Sequence, residues 1–291
     1  AVLSDLHLAL LNENAGRKDE ALAIYRKASE DMKKVPLRMV RAMGSFLERE
    51  GNSAEAKTLY EGYLAVHPAS HLIDYELKRL ETGKVARPIA VDAASGFAEG
   101  MFNLASALPI NRAGAAALLY ARIAAYLRPD FPVAQLLMGD IFDISRRYAD
   151  SIAIYRTIAL DSPYSWLARL KMAENLNNTD QIEEAKALLE ALANERPKDI
   201  EPLLRLGSFL RVREEFAGAE EAYNRAFARL EDLKPNNWSL YYYRGISRER
   251  LKKWDEAEKD FLKALELNPD HPYVLNYLGY SWVDQGKNLA R

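Results

Sequence analysis

The side chains from which this chain of 291 residues would have to build a reaction centre are few. There are four histidines, His7, His67, His71 and His271, and no cysteine. Without a thiol there is no disulfide, no thiolate nucleophile and no cysteine-ligated zinc. His67 and His71 stand four apart, a separation at which two imidazoles on one helix face can share a metal ion. Pro68 lies between them and breaks the helix that such a pair needs, so both are expected in a turn or on the surface. No H-E-x-x-H, G-x-S-x-G or glycine-rich phosphate loop occurs. The paired carboxylates Glu183-Glu184 and Glu220-Glu221 fall on helical stretches and read as solvated surface. No catalytic residue, metal or cofactor is therefore expected.

The elements around these residues are those of an ordered helical protein. Hydrophobic residues make up 49% and charged residues 28%, too apolar for disorder and too mixed for a membrane span. No run approaches the roughly 18 to 20 apolar residues of a transmembrane helix. The net charge is −2, and the arginines between Arg205 and Lys263 are interleaved with Glu and Asp. This argues against a nucleic-acid partner. The lack of cysteine suits the cytosol and a bacterial periplasm alike. The chain opens at Ala1 without an initiator methionine and stops at Arg291 in mid-repeat, as expected of an excised piece whose targeting sequence would be lost.

Self-similarity decides the fold. Pro129, Pro163 and Pro197 stand 34 residues apart, and Ala105, Gly139 and Ala173 precede them at a fixed offset. The spacing continues through Gly207, Ala219, Tyr223 and Ala226. It returns at Tyr241, Gly245, Trp254, Ala257, Phe261, Ala264 and Pro269, and earlier at Gly44, Ala56, Tyr60 and Pro68, and at Ala9, Ala21, Tyr25 and Ala28. Small residues let two helices approach closely, the aromatic fills the space between pairs, and the proline forces the turn into the next unit. Each pair leaves an apolar face that only a neighbour can bury, so pairs stack.

This pattern resembles the tetratricopeptide repeat family over nearly the whole chain. The resemblance implies an all-α, right-handed α-solenoid of helix–turn–helix units, a single superhelix over residues 1–291. The units run at about 2–36, 37–70, a degenerate 71–97, 98–131, 132–165, 166–199, 200–237, 238–271 and a cut-off 272–291. Residues 71–77 start a first helix. Gly83, Pro88 and the run 91–96 then read as a loop in place of a regular second helix, a degraded repeat or a functional insertion. The unit from Ile200 is four residues longer, which predicts a longer second helix near 230–235.

In such superhelices the second, fifth, ninth, twelfth and thirteenth positions of each unit line the concave face. The resemblance thus implies a groove bearing Phe102, Leu136, Leu170, Leu204 and Tyr242 at the fifth position. Tyr273, Asn276 and Tyr280 follow in the cut-off unit, and Asp140, Asp143, Glu174, Asn177, Asn178 and Arg211 lie elsewhere. The ninth position holds Ser106, Asp140, Glu174, Ser208 and Ile246, so a lysine-based clamp for a terminal carboxylate is not expected. An apolar stripe with an acidic margin suits an extended or helical protein segment. Leu136, Leu170 and Leu204 could equally pack against the next helix. Arg244 and Arg248, one turn apart at positions usually apolar, must either meet carboxylates of the preceding unit or border an opening.

Residues 238–286 further resemble long proteobacterial tetratricopeptide proteins, on Tyr243-Arg244-Gly245-Ile246, Trp254-Asp255-Glu256-Ala257-Glu258 and the run 275–282. Some of those are envelope lipoproteins acting as adaptors for a carboxyl-terminal processing protease. The expectation is a protein-binding scaffold or adaptor with a protein or peptide partner, in a bacterial periplasm or envelope. The alternatives are a self-assembling homo-oligomer and the regulatory part of a larger enzyme.

Overall fold

The computed structural model describes residues 2–68, 70–230 and 235–286. They form sixteen α-helices and one 3-10 turn at Pro235–Asn237, with no strand among the described residues. The helices gather into two compact units, residues 1–168 and 169–291.

The first unit opens with the hairpins α1 (Val2–Asn14) with α2 (Lys18–Ala28) and α3 (Leu37–Arg49) with α4 (Ser53–Val66). A lone α5 (His71–Glu81) follows. Then come α6 (Ala93–Ala107) with α7 (Ile110–Leu127) and α8 (Pro132–Ile144) with α9 (Tyr148–Tyr155). The next helix, α10 (Ser165–Asn178), runs across the division and pairs in sequence with α11 (Ile182–Glu195). The second unit continues with α12 (Glu201–Val212), α13 (Phe216–Phe227), α14 (Trp238–Arg250), α15 (Trp254–Leu267) and α16 (Pro272–Asp284).

The spacing of small and aromatic residues explains four of the hairpins. Tyr60, Tyr155, Tyr223 and Phe261 are buried on second helices and lie over Gly44, Gly139, Gly207 and Gly245 of the first. A Cβ at those glycines would fall 2.2, 2.2, 2.5 and 2.8 Å from ring atoms. The ring and the missing side chain are thus one packing device. Six of the turns between paired helices are closed by a residue with left-handed backbone, Gly16, Gly51, Arg146, Asp180, Glu214 and Lys252, whereas α6 passes into α7 through extended Leu108 and Pro109. The next N–H returns to the first helix in the same way each time, as in Arg147 N–H to Phe142 O and Glu215 N–H to Leu210 O at 2.8 and 2.9 Å. This is the glycine-type helix stop, met here four times without glycine.

Two expectations are corrected. The run 91–96 is only partly loop, because Ala93 to Gly96 form the first turn of α6. Asp92 accepts from Ser95 N–H while Ser95 Oγ accepts from Asp92 N–H, a reciprocal cap that starts the helix there. The second helix of the long unit is not extended either. α13 ends at Phe227, and residues 231–234 of the predicted extension lie outside the described residues. Pro235 instead begins the 3-10 turn that leads into α14.

Within the first unit the chain returns on itself. α6 packs against α7 and also against α1, where Asn103 Nδ2 lies 2.6 Å from His7 Nε2. The segment 82–92 makes this return possible by replacing a second helix with extended chain.

Candidate partner-binding cleft

On α3, Met39, Val40, Met43, Phe46 and Leu47 are buried in the core of the first hairpins. Arg38, Arg41, Ser45 and Glu48 recur at three- and four-residue steps and so share another face. They occupy the second, fifth, ninth and twelfth places of the unit 37–70. Three buried carboxylates organise the side chains around them.

Glu48 accepts from Tyr60 Oη at 3.0 Å, Arg79 Nη2 at 2.7 Å and Ala86 N–H at 3.1 Å. Glu76 of α5 accepts from Arg41 Nε at 2.7 Å and Arg79 Nη2 at 2.6 Å. Glu99 of α6, fully buried, accepts from Arg38 and, at 3.2 Å, from Arg128 Nη1. Burial would lower the pKa of Arg41 and Arg79, but the neighbouring carboxylates, joined by Tyr164 beside Arg41, outweigh it and raise both. The guanidinium groups therefore stay charged.

Arg38, Arg41, Ser45, Glu76, Arg79 and Glu99 form one wall of a cleft of about 870 Å3. The segment 84–89 edges it, and residues 128–133 and 159–164 face it. The segment is held through its backbone. Ser45 Oγ donates to Arg87 O at 2.8 Å, Arg79 Nη1 to Lys84 O at 3.1 Å, and Arg128 Nη1 to Ile89 O at 2.8 Å. Aromatic rings steady the arginines. Arg38 and Arg128 lie 5.2 and 4.7 Å from the Phe131 ring centre, and Arg41 lies 5.3 Å from that of Tyr164 and donates to its hydroxyl.

The expected groove residues are distributed as follows. In the first unit Phe102 is half-buried between the Arg38 guanidinium and the Phe131 ring. Leu136 is buried, and Asp140 accepts from Tyr155 Oη at 2.6 Å. None of the three lines the cleft. In the second unit Leu170 is buried and Leu204 half-buried. Glu174 is exposed and accepts from Arg205 at 2.5 Å. Tyr242 is buried between Phe261 and Tyr277. Tyr273 and Tyr280 are 68% and 66% exposed, and Asn276 is exposed beside them. The structure joins some of these through rings. Arg211 lies 4.7 Å over Tyr243, which touches Tyr242. Trp238 then links Tyr242 to His271 and Tyr273.

Reading the sequence passed over the arginines of the cleft. Arg38, Arg41 and Ser45 follow from the same positional rule applied to 37–70. Arg79, Arg128 and Tyr164 carry no such signal, because their partners lie far along the chain. One surface expectation is corrected. Glu220 is buried, not solvated, because Arg248 Nε and Lys253 Nζ donate to it at 3.0 and 2.7 Å. Asp260 completes this cluster by accepting from Arg244 and from Arg248 Nη1. Carboxylates therefore meet both arginines, one from the preceding unit and one from their own.

His67 caps α4 with its ring nitrogen 3.3 Å from Met32 O, whereas His71 opens α5. Among the described residues no group of three or more histidines and carboxylates could hold a metal ion. No helix among them is long and apolar enough to cross a membrane.

Comparison with known proteins follows the same lines. Family models described as tetratricopeptide repeat match residues 144–207 and 238–271. The general transcriptional corepressor ssn6 of Schizosaccharomyces pombe is 26% identical over 137 residues, 47% of this chain and 12% of that protein. A TPR repeat-containing protein of Pseudomonas aeruginosa is 28% identical over 159 residues, 54% of this chain and 26% of that protein. The chain thus spans about a quarter or less of the length of these relatives. Among solved structures, MamA of Desulfovibrio magneticus shares the fold at a TM-score of 0.53 and 19% identity, covering 63% of this chain and 99% of that one. The 34-residue register and the hairpins it builds agree with the two matched stretches, so residues 144–207 and 238–271 are tetratricopeptide repeats.

Proposed function

We propose that the chain is a non-enzymatic scaffold that holds a partner polypeptide, with the cleft of residues 1–168 as its principal site. The observation that carries this reading is the cleft itself. Its volume of about 870 Å3 lies in the upper part of the range of ligand pockets, roughly 300–1,000 Å3. Its α3 wall is built from the positions that face the groove in tetratricopeptide repeats. The ordered, charge-paired walls reduce what must be immobilised when a ligand enters. Arg211, Tyr242 and Tyr273, with Tyr243 between the first two, form a second candidate surface in the other unit. There Tyr273 supplies the exposed aromatic area typical of contact residues. The finer setting, an adaptor in a bacterial envelope complex, has the resemblance of residues 238–286 as its support.

The test is a peptide-display selection against the full chain, repeated on Ala159→Trp. Ala159 lines the cleft and is exposed, so the indole fills space without disturbing the core. Selected peptides should lose binding to the variant. Peptides that bind both proteins equally would place the site elsewhere.

A further inference from the structure

We infer that the cleft of the first unit takes an extended polypeptide segment rich in aspartate and glutamate. This inference rests on the reading of the cleft as a partner site and specifies the chemistry of the partner.

Six cationic side chains line the cleft: Arg38, Arg41, Arg79, Lys84, Arg87 and Arg128. The four deeper arginines are balanced by four carboxylates, the buried Glu48, Glu76 and Glu99 and the exposed Asp130. Arg38 Nε is buried with no acceptor in the protein. Lys84 and Arg87 differ from the other four. Both are exposed, and among the described residues neither side chain has a hydrogen bond or ion pair within the protein. Yet both are fixed in place, because their own carbonyls are the ones bound by Arg79 and Ser45. Two unpaired cations with anchored backbones on one edge of a cleft are a ready counterpart for carboxylates, since the ordering cost is already met.

The opposing charges are few. Asp130 lies 3.5 Å from Arg128 Nε, and Asp161 is exposed on the far edge. These two disfavour a polyphosphate chain, whose charge is continuous, more than a peptide whose carboxylates can be spaced to avoid them. Tyr75 and Val85, 40% and 58% exposed, add apolar area to the lining. The fitting sequence therefore alternates acidic with apolar residues. Because internal side chains are read, no free C-terminus is required.

The experiment measures fluorescence anisotropy of the full chain with a labelled peptide of alternating glutamate and leucine, both termini blocked. Its lysine–leucine counterpart and an oligouridylate serve as the other probes. The glutamate peptide should bind at least about tenfold more tightly than either, and more weakly as salt rises. The double variant Lys84→Glu, Arg87→Glu alters only exposed side chains, so its circular dichroism should match the parent while the preference for glutamate disappears. No binding of the glutamate peptide, equal or tighter binding of either other probe, or a preference that survives the double variant would overturn the inference. Ala159→Trp separates the two levels of the argument. A lysine peptide bound by the parent and lost in Ala159→Trp would reject the acidic partner and keep the cleft. Peptides that bind but are indifferent to Ala159→Trp would reject the cleft.

Discussion

The two compact units bury charge in different ways. In residues 169–291 the cluster of Asp260, Glu220, Arg244, Arg248 and Lys253 is drawn from consecutive regular helices, α13 to α15, and its turn. In residues 1–168 the carboxylates stand on α3, α5 and α6, and their arginines come from as far as 61 residues away. Regular repeats keep their charges within neighbouring hairpins. Where the repeat is interrupted at 82–92, chain from distant units is brought to one place and space is left between. The difference suggests that the periodic part of such a protein supplies rigidity, and its irregular part supplies a pocket.

That contrast can be broken or sharpened by experiment. The largest effects should come from removing a central carboxylate. Asp260→Ala and Glu99→Ala should each destabilise by about 3–5 kcal/mol, since each removes a buried carboxylate shared by two largely buried arginines. Urea unfolding gives the size, and hydrogen exchange gives the place: α14 and α15 for the first, α3, α6 and the segment 84–89 for the second. A loss shared by all helices alike would erase the distinction between the units.

Packing should not distinguish them. Gly139→Val and Gly207→Val both push a side chain into a buried tyrosine ring and should cost a similar amount, about 1–3 kcal/mol. Thermal unfolding of the two variants checks this, and a large inequality would mean that the hairpins are not equivalent.

A smaller effect belongs to the first unit alone. Burial, opposed by Glu99 and reinforced by Arg38, holds the His7 imidazole below its ordinary value of 6.5. The unfolded chain then takes up the proton more readily. The stabilisation is complete above about pH 6.5 and is lost as pH falls toward the folded value. Protection factors in α1 and α6, taken relative to the intrinsic exchange rate at each pH, should fall on acidification through that window, and His7→Gln should flatten the response. The smallest change is expected on the surface. Lys18, 2.8 Å from Glu50 and 60% exposed, should lose about 0.5 kcal/mol or less as Lys18→Ala, within reach of careful chemical denaturation.

Much of this architecture can be read in the amino-acid order, and for a definite reason. A small first-helix residue that recurs in register, facing an aromatic ring in four hairpins, is a local device, so spacing alone reveals the hairpin. The interruption after α5 was equally visible, through Gly83 and Pro88. The start of α6 was not, since its signal is the reciprocal cap of Asp92 and Ser95, which resembles loop composition. The cleft was half legible. Arg38 and Arg41 occupy positions that the repeat assigns to the groove, but Tyr164 meets Arg41 across 123 residues, and no periodicity encodes that. Leu136, Leu170 and Tyr242 show the converse. A first-helix position can serve the groove or the neighbouring helix, and only the coordinates show that these three are buried. Glu220 was misread because an acidic pair looks solvated until its cations, 28 and 33 residues onward, are placed.

The hairpin stops have a consequence for how firmly the stack is held. Arg146, Asp180, Glu214 and Lys252 adopt a backbone that glycine enters freely, with φ between 57° and 63°. Crowding of the Cβ there costs about 1–2 kcal/mol, against a gain of about 0.4–1 kcal/mol from a less supple unfolded chain. Each such corner leaves stability unclaimed, and none of the four lines the cleft. The scaffold thus has slack that evolution or a designer could take up with glycine, toughening the spine while its recognition chemistry stays as it is.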